Sequence, residues 1–283
     1  MAIKTLNMYM IDASTTGRIK YSFPFWTGLV FKIPRTMVKD CTDRAEYKYA
    51  GIYFLFGNDE DSGKPMVYIG QAVHRKNGEG LINRLKEHMK DPSKDFWNEA
   101  VIVTTVNDIL GPTEISYLEH QFCDIAIKAN RYIVKNGNDP NIGNPSEETE
   151  DALIDFIEYT KLAIGQTGHR FFEPLVSQNS ASSDGVILNF KYSSASGRGM
   201  LTTDGFVVFK GAKLRLDLVN TCPSSCINNR EKYKNIISED GTLLEDALFN
   251  SPSGAGCFLA ASHLSGNEYW KDDNGVSLKN LGL

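Results

Sequence analysis

The chain has 283 residues, of which 41% are hydrophobic, so it can form two modest domains or one large one. A formal net charge of −5 does not favour a nucleic-acid partner, since phosphates attract basic surfaces. No run of 18 apolar residues is present, which argues against a membrane-spanning helix. The first twelve residues are interrupted by Lys4, Asn7 and Asp12, and they predict a strand rather than a secretion signal. Five widely spread cysteines favour a reducing cytoplasm with free thiols.

The first half of the chain predicts an α+β fold. A β-rich lead-in has candidate strands near residues 2–11 and 27–33. A β-hairpin follows over residues 50–70, because two runs of aromatic and β-branched residues flank a polar turn. The next elements are a helix over 80–90, a strand over 100–105 and a helix from Pro112 to about Lys128. Their order, β-β-α-β-α, suits a small three-stranded sheet with helices packed on it.

The second half predicts a further helix, a linker and another small α+β domain. The helix covers residues 146–164, with Leu153, Ile154, Ile157 and Leu162 as its apolar positions. The later elements are strands near 185–190 and 205–209, a polar helix near 229–238 and a short helix at 254–261. The predicted segments are a β-rich extension (1–45), a first domain (46–175), a small polar linker (176–184) and a C-terminal domain (185–283).

The predicted hairpin places two tyrosines on one face. Alternation along the first strand separates Tyr53 and Leu55 from Ile52, Phe54 and Phe56. Tyr68 on the second strand can share the face of Tyr53, so that both hydroxyls are available to a substrate. Either tyrosine alone would be an ordinary strand residue.

Three further residues on the predicted helices could carry chemistry. Arg84 and His88 are four residues apart and lie on one side of a helix, at the edge of its apolar stripe. Glu119 lies beside the apolar stripe of the next helix, where a carboxylate costs desolvation unless a cation or a hydrogen-bond donor meets it. A divalent metal ion and Arg84 are both candidates, and structural ion pairing would explain Glu119 equally well.

Together these residues resemble the GIY-YIG nuclease family. Gly51-Ile52-Tyr53 and Tyr68-Ile69-Gly70 match both signature tripeptides, residues 83–88 resemble the family's arginine motif, and residues 117–119 resemble its glutamate motif. The resemblance covers about residues 46–145. Residues 25–35 look like a lead-in typical of bacterial members, and the C-terminal part resembles a domain of unknown function that often accompanies such nucleases.

The resemblance implies a metal-dependent endonuclease, with DNA the expected substrate and RNA an open alternative. Tyr53 is implied as the general base, Tyr68 as a residue that orients phosphate or water, and Arg84 as the group that stabilises the phosphoryl transition state. Glu119 is implied as the ligand of a single Mg²⁺ or Mn²⁺ ion. His88 either shares the proton-transfer role or is structural.

The resemblance departs from the family's commonest pattern in two places. The 14 residues between the tripeptides make a long hairpin. The family's downstream asparagine has three candidates, of which Asn130 has the most suitable distance from Glu119, while Asn136 and Asn138 lie close by.

Charge is unevenly distributed along the chain. Residues 71–94 carry six basic and three acidic side chains, and residues 186–216 carry five basic and one acidic side chain. Residues 146–158 carry six acids and no base. Charge therefore permits a polyanion partner, and it suggests that the C-terminal domain contributes target recognition, regulation or a protein-partner surface.

Other hypotheses remain open. The chain could be a catalytically inactive nucleic-acid-binding or scaffold protein of the same fold. It could instead be a small-ligand enzyme or sensor built on the C-terminal domain, where the polar and aromatic candidates are Ser251, Ser253, His263 and Trp270. Cys222 and Cys226 could bind zinc, but the sequence shows no second pair of ligands to complete such a site.

Overall fold

The computed structural model describes residues 4–73, 80–136, 142–175, 185–217 and 222–282. The chain divides into two compact units, Met1–Pro174 and Leu175–Leu283. Both units combine helices with an antiparallel-rich sheet, so the predicted α+β class is confirmed. The predicted linker over residues 176–184 lies outside the described residues.

One sheet of seven strands forms the centre of the first unit within the described residues. The strands are β1 (Asn7–Met10), β2 (Ile19–Ser22), β3 (Gly28–Pro34), β4 (Gly51–Asn58), β5 (Pro65–Ala72), β6 (Trp97–Thr105) and β7 (Ile133–Val134). Their order across the sheet is β1-β2-β3-β6-β4-β5-β7. Neighbouring strands are antiparallel except for β5 and β7, which are parallel.

The sheet is wider than the three strands that the sequence predicts. The predicted β-β-α-β-α order is present, and β6 lies beside β4 as a three-stranded sheet requires. However, β3 pairs with the other edge of β6 over seven residues, from Gly28 opposite Thr105 to Pro34 opposite Glu99. The predicted β-rich extension thereby continues the same sheet. Long-range pairing of this kind leaves no local signal in the sequence, because each strand only shows its own alternation.

Three helices of the first unit pack on the two faces of this sheet. They are α1 (Leu81–His88), α2 (Pro112–Ala129) and α3 (Glu147–Gln166). Pro112 begins α2 at a position where its missing N–H costs nothing. Three glutamates in the first turn of α3, Glu147, Glu148 and Glu150, carry negative charge at the end of the helix that favours it.

The alternation predicted for the hairpin is confirmed. Leu55 lies opposite Tyr68 and Tyr53 lies opposite Gly70, and directly opposed residues share a face of the sheet. Phe54 contributes to the other face, where its ring meets Phe122 of α2 with centroids 5.4 Å apart. The tyrosines therefore face α1, while the aromatic core faces α2 and α3.

The apolar stripe of α3 differs in part from the prediction. Leu153 and Ile157 are buried as expected, but Ile154 and Leu162 are exposed. The buried stripe continues instead through Phe156. This follows helical spacing, because Phe156 and Ile157 lie three and four residues after Leu153 and share its face of the helix. Ile154 is the next residue after Leu153 and is therefore rotated about 100° away from it.

The second unit contains a five-stranded antiparallel sheet and several short helices within the described residues. The strands are β8 (Ile187–Tyr192), β9 (Ala195–Thr202), β10 (Gly205–Val208), β11 (Ala247–Phe249) and β12 (Trp270–Lys271), in the order β11-β10-β9-β8-β12. The helices are α4 (Ser224–Lys232), α5 (Pro252–Ala260), α6 (Gly266–Tyr269) and α7 (Leu278–Leu281). The core is centred on Phe206, Phe258 and Trp270, which are fully buried.

Two elements of the second unit differ from the prediction. The strand β9 is absent from the predicted elements, because its sequence contains Gly197 and Gly199 and shows no apolar alternation. A Cβ at Gly199 would collide with the Val207 main-chain oxygen and the Phe206 ring, so glycine permits this close approach. The polar helix predicted near 229–238 begins earlier and ends at Lys232.

None of the helices within the described ranges has both the length and the apolar composition that a membrane crossing requires.

Candidate functional site

The glycines of both tripeptides are required by close packing. Gly70 lies opposite Tyr53, and a Cβ at Gly70 would fall 2.4 Å from the Tyr53 hydroxyl oxygen. A side chain there would displace the phenol. A Cβ at Gly51 would fall 2.1 Å from the Val103 main-chain oxygen on the neighbouring strand. Gly70 therefore leaves room for the Tyr53 ring, and Gly51 lets β4 lie close to β6, which are physical reasons for the tripeptide pattern.

Tyr53 is hydrogen-bonded to His88. Its hydroxyl lies 2.7 Å from His88 Nε2, and both residues are buried, with 1% and 6% of their surfaces exposed. The Tyr68 ring completes the cluster, with its centroid 6.1 Å from that of Tyr53 and 5.5 Å from that of His88. Tyr53 and Tyr68 each change the pKa of the other, so the two phenols lie within electrostatic reach of one another. His88 is thus buried inside the site, whereas the sequence predicts it at the edge of the helix stripe.

The protonation states of this cluster follow from burial. Burial raises the pKa of Tyr53 far above the usual value of a phenol, and the neighbouring Tyr68 raises it further. Burial also raises the pKa of Tyr68. The pKa of His88 is lowered to about 4, first by burial and then by the positive charges of Arg84 and Lys94. At neutral pH the cluster therefore holds two phenols and an uncharged imidazole.

Arg84 lies at a cleft beside this cluster. The cleft has a volume of about 340 Å³, and the described residues that line it come from the end of β5, the start of α1 and the start of α2. Arg84 Nη1 donates to Glu87 at 2.5 Å. Burial alone would lower the pKa of Arg84, but Glu87 and the two tyrosines raise it above the usual value, so the guanidinium is charged. The described lining includes neither tyrosine nor Glu119, and the cleft meets the site at Arg84 and Gln71.

Glu119 is a buried carboxylate on α2, with 9% of its surface exposed. Burial raises its pKa, while hydrogen bonds from the Gln71 side chain and main chain and the charge of Arg84 oppose that rise. Ser116 donates to Gln71 Oε1 at 3.5 Å, which leaves the Gln71 amide nitrogen to face the carboxylate. The Glu119 charge also raises the pKa of Tyr53 and Tyr68, so the acid lies within electrostatic reach of both phenols.

The Glu119 carboxylate fits a divalent cation that is held by few protein ligands. No group of three or more histidine, cysteine, aspartate or glutamate side chains that could enclose a metal ion occurs in the described parts of the chain. A single carboxylate supplemented by waters and substrate phosphate is the ligand set that Mg²⁺ commonly uses. A cation at Glu119 would also oppose the rise in pKa that burial causes.

The candidates for the downstream asparagine have different surroundings. Asn130 is exposed and forms the C-cap of α2 in the left-handed region, at φ 47°, where asparagine is often found. Asn136 is instead hydrogen-bonded to the second tripeptide. Its Nδ2 donates to the Ile69 oxygen at 2.7 Å and its Oδ1 accepts from the Ile69 nitrogen at 3.1 Å. Asn138 lies outside the described residues. Asn136 is therefore the asparagine that holds β5 beside the site.

Sequence reasoning missed Gln71 and the role of Asn136. Gln71 directly follows the second tripeptide, so its position was a usable signal, but a glutamine at the end of a strand carries no charge that would attract notice. The hydrogen bonds of Asn136 to Ile69 join residues 67 positions apart, and only the pairing of β5 with β7 brings them together.

The polar and aromatic candidates of the second unit have structural roles. Ser251 accepts from Gly254 N at the start of α5, as a capping residue does, and Ser253 accepts from Gly266 N at 3.0 Å. Trp270 Nε1 donates to the Pro252 oxygen at 3.0 Å. Cys226 Sγ donates to the Cys257 oxygen at 3.1 Å. These contacts stabilise the unit, and the remaining candidate, His263, is exposed.

Comparison with known proteins concerns the second unit alone. Residues 188–282 match the family model described as "Domain of unknown function (DUF4357)". This match is consistent with the accessory domain of unknown function that the sequence predicts, and the description of the family implies no activity. Neither a curated protein nor a solved structure matches the chain. The resemblance of residues 46–145 to the GIY-YIG nucleases stays a prediction.

Proposed function

We propose that the first unit is a metal-dependent endonuclease of the GIY-YIG type that hydrolyses phosphodiester bonds, with DNA as the expected substrate. The observation that carries the proposal is the hydrogen bond between the Tyr53 hydroxyl and His88 Nε2, buried within electrostatic reach of Arg84 and Glu119. Perturbed ionisable groups that gather beside a cleft are typical of active sites. Two signature tripeptides whose glycines are required by packing add a second line of support.

Tyr53 and His88 would move the proton of the attacking water together. A free phenolate at Tyr53 is strongly disfavoured, because burial raises its pKa. Tyr53 can accept a proton from water without becoming a phenolate if its own proton passes to His88 Nε2 in the same step, over the 2.7 Å hydrogen bond. Tyr68, whose ring centroid lies 6.1 Å from that of Tyr53, would help to orient the phosphate or the water for this transfer.

Substrate binding would make His88 a better proton acceptor. After burial, the positive charges of Arg84 and Lys94 are the main causes that lower the pKa of His88. A phosphate bound near these cations opposes their effect, so the pKa of His88 rises towards its usual value. The proton relay would therefore be more effective when a phosphodiester is present.

Arg84 and Glu119 would act on the phosphate itself. Arg84 can donate two parallel hydrogen bonds to phosphoryl oxygens whose negative charge grows in the transition state. Glu119 would hold the Mg²⁺ or Mn²⁺ ion, with Gln71 fixing the carboxylate through its two hydrogen bonds. When bound, such an ion neutralises phosphoryl charge and assists the departure of the leaving oxygen.

A catalytically inactive nucleic-acid-binding or scaffold protein is the second candidate, and one observation favours it. Tyr53 is almost completely buried, and a general base must touch the water that it activates. Under this alternative, the Tyr53–His88 hydrogen bond only stabilises the packing of α1 on the sheet. The two candidates differ in one measurable property, which is turnover.

The test is metal-dependent cleavage by the purified full chain and a Glu119→Gln variant. Plasmid DNA, single-stranded DNA and RNA are each incubated with Mg²⁺, Mn²⁺ or EDTA. We expect the wild type to cleave DNA with metal and not with EDTA. Glu119→Gln keeps the shape of the side chain and the hydrogen bond with Gln71 but loses the charge, and we expect cleavage to fall at least about 10³-fold.

The matched control is a pair of tyrosine variants. Tyr53→Phe removes the relay and should abolish most cleavage. Tyr47→Phe removes another buried hydroxyl of the same unit, one that has no hydrogen-bond partner among the described residues, and cleavage should remain. A Glu119→Gln protein that cleaves at the wild-type rate would reject the proposal. A wild type that binds DNA without cleaving it under any metal would favour the scaffold.

The remaining expectations are part of the same proposal. The cytoplasm is its expected location, since the described cysteines are all free thiols.

The second unit would supply target recognition, regulation or a protein-partner surface. Lys191, Arg198 and Lys210 of its basic stretch are exposed, as a polyanion contact requires. Part of the basic stretch 71–94, namely residues 74–79, lies outside the described residues.

A further inference from the structure

Lys94 is held against the site rather than extended into solvent. It ends a short 3₁₀ turn, Pro92–Lys94, which directly follows α1 and is capped by the Asp91 side chain accepting from Ser93 N. Its Nζ lies 2.9 Å from the centroid of the Tyr68 ring. A lysine side chain has several rotatable bonds and loses much conformational entropy when it is fixed in this way. The contact with the face of Tyr68 offsets part of that cost.

A second lysine, Lys135, approaches β5, the strand that carries Tyr68, from the side of its neighbouring strand β7. Lys135 follows β7, and its main-chain nitrogen donates to the Val67 oxygen at 2.8 Å, one residue before Tyr68. The Lys135 Nζ lies 4.7 Å from the centroid of the Phe96 ring, two residues after Lys94, and its side chain is exposed. Two segments that are distant in sequence therefore each bring one ammonium group to the part of β5 that carries Tyr68.

These lysines and Arg84 form a cationic cluster with an internal repulsion. The pKa of Lys94 is lowered to about 8, chiefly by burial and also by the charges of Lys135 and Arg84, while Asp91 acts in the opposite direction. Lys94 in turn lowers the pKa of His88. Cations that repel one another are stabilised when an anion joins them, so the cluster is suited to bind a polyanion.

We propose that Lys94 and Lys135 bind a backbone phosphate next to the scissile one, while Arg84 serves the scissile phosphate. This inference rests on the proposed function and adds the path of the nucleic-acid strand along β5. Gln71, beside Glu119, and Tyr68, beneath Lys94, are three residues apart, which is about 10 Å of strand. One strand of a duplex carries a phosphate about every 3.4 Å along the helix axis, so a strand that crosses this distance presents more than one phosphate.

Salt-dependent binding tests the inference without requiring turnover. Full-length Glu119→Gln protein is titrated with a fluorescent duplex oligonucleotide at several salt concentrations, alone and with Lys94→Gln or Lys135→Gln added. Each lost phosphate contact should reduce the magnitude of the slope of log K against log salt concentration by about 0.9. Lys161→Gln is the matched control, because Lys161 lies on α3 in an ion pair with Glu158 and its loss should leave the slope unchanged.

Lys94→Arg separates charge from packing. Arginine keeps the positive charge and can still lie over an aromatic ring, so this variant should restore most of the slope that Lys94→Gln loses. In a background with Glu119 intact, Lys94→Gln should raise KM by a larger factor than it lowers kcat. A purely structural role predicts a lower melting temperature with an unchanged salt slope, and that result would overturn the inference.

The outcomes separate this inference from the proposed function. If the wild type cleaves and Lys94→Gln has an unchanged salt slope, the proposed phosphate contact is rejected and the proposed nuclease function is retained. A reduced slope in Lys94→Gln, with a wild type that never cleaves, supports the contact and removes the hydrolase. A wild type that does not bind the oligonucleotide at any salt concentration overturns both.

Discussion

Each unit of this protein has a helix that carries a partly buried arginine, and the two arginines have different partners. Arg84 on α1 lies at the cleft, donates to the Glu87 carboxylate and lies within electrostatic reach of two phenols. Arg230 on α4 donates to main-chain oxygens: to Phe258 at 2.9 Å and to Arg215 at 2.7 Å. The pKa of Arg84 is raised, whereas burial lowers that of Arg230.

The difference teaches how a structural arginine can be told from one suited to chemistry. Main-chain oxygens cannot ionise, so the hydrogen bonds that Arg230 donates to them fix geometry, and the ionisable groups within its electrostatic reach are the thiols of Cys222 and Cys226. The groups around Arg84 are ionisable side chains, and a charge brought by a substrate changes their proton affinities. The same contrast applies to the buried polar groups as a whole, because Tyr53, His88 and Glu119 cluster in the first unit.

Replacing each arginine with glutamine is the strongest test of this difference between Arg84 and Arg230. Arg84→Gln should lower cleavage by about 10²–10³-fold, because an electrostatic donor to the phosphoryl group is lost, and should change the unfolding free energy by less than about 0.5 kcal/mol. Arg230→Gln should leave cleavage within a few-fold and destabilise the second unit by about 2–3 kcal/mol, since buried carbonyls lose a charged donor.

Cleavage assays and hydrogen–deuterium exchange of the full chain measure both effects. Faster exchange should be confined to peptides from residues 185–282 in Arg230→Gln and absent in Arg84→Gln. In the exchange measurement, Arg198→Ala, at an exposed position of β9, controls for loss of an arginine in the second unit. If Arg84→Gln unfolds the first unit, the distinction between the two arginines is wrong.

The pH dependence of the unfolding free energy tests whether burial in the first unit keeps His88 uncharged. The pKa of His88 is about 4 in the folded chain, below the value of 6.5 that it has when unfolded. Between these values the unfolded chain binds the extra proton, so stability falls as pH decreases from 6.5 to 4 and is fully present above 6.5. After allowance for solvent screening, this loss is about 2 kcal/mol.

His88→Asn should remove that loss. Urea unfolding of the full chain at a series of pH values gives the free energy of unfolding of wild type and variant. The difference between these two free energies should shrink by about 2 kcal/mol as pH falls through this window. Tyr53→Phe keeps His88 and serves as the control, because it should retain most of the wild-type slope. An identical pH dependence in wild type and His88→Asn would show that the imidazole is not held uncharged by burial.

The smallest expected effect distinguishes the two asparagines. Asn136→Ala removes two hydrogen bonds to Ile69 and should cost about 1–2 kcal/mol, with a fall in cleavage because Ile69 adjoins Tyr68. Asn130→Gly changes a left-handed cap to the residue that favours it, so stability should stay equal or rise by a few tenths of a kcal/mol, with cleavage unchanged. Thermal unfolding and initial rates measure both, and equal loss of activity in both variants would reject the reassignment.

Local patterns in the sequence predict much of the first unit. Alternation placed Tyr53 and Tyr68 on one face of a hairpin, and Pro112 marked the start of α2, because these signals act over a few residues. The same reasoning missed β2 and β9 and assigned Ile154 to a buried stripe, since short or glycine-containing strands and the exact face of a helix depend on what packs against them.

The site shows the same division between local and distant information. Helical spacing placed Arg84 and His88 on one side of a helix and Glu119 beside an apolar stripe, and the resemblance to the nuclease family selected them as a set. It could not select Asn136 over Asn130, because that choice depends on which residue β7 brings beside Ile69.

The sequence by itself determined which chemical groups are present and which of them share a strand or a helix face. Only the tertiary structure decided that Tyr53 is buried, that His88 beside the Tyr53 hydroxyl is an uncharged imidazole, and that Lys94 lies on Tyr68. The physical reason is that proton affinity depends on burial and on charges within a few ångströms, and those surroundings come from segments that are far apart in the chain.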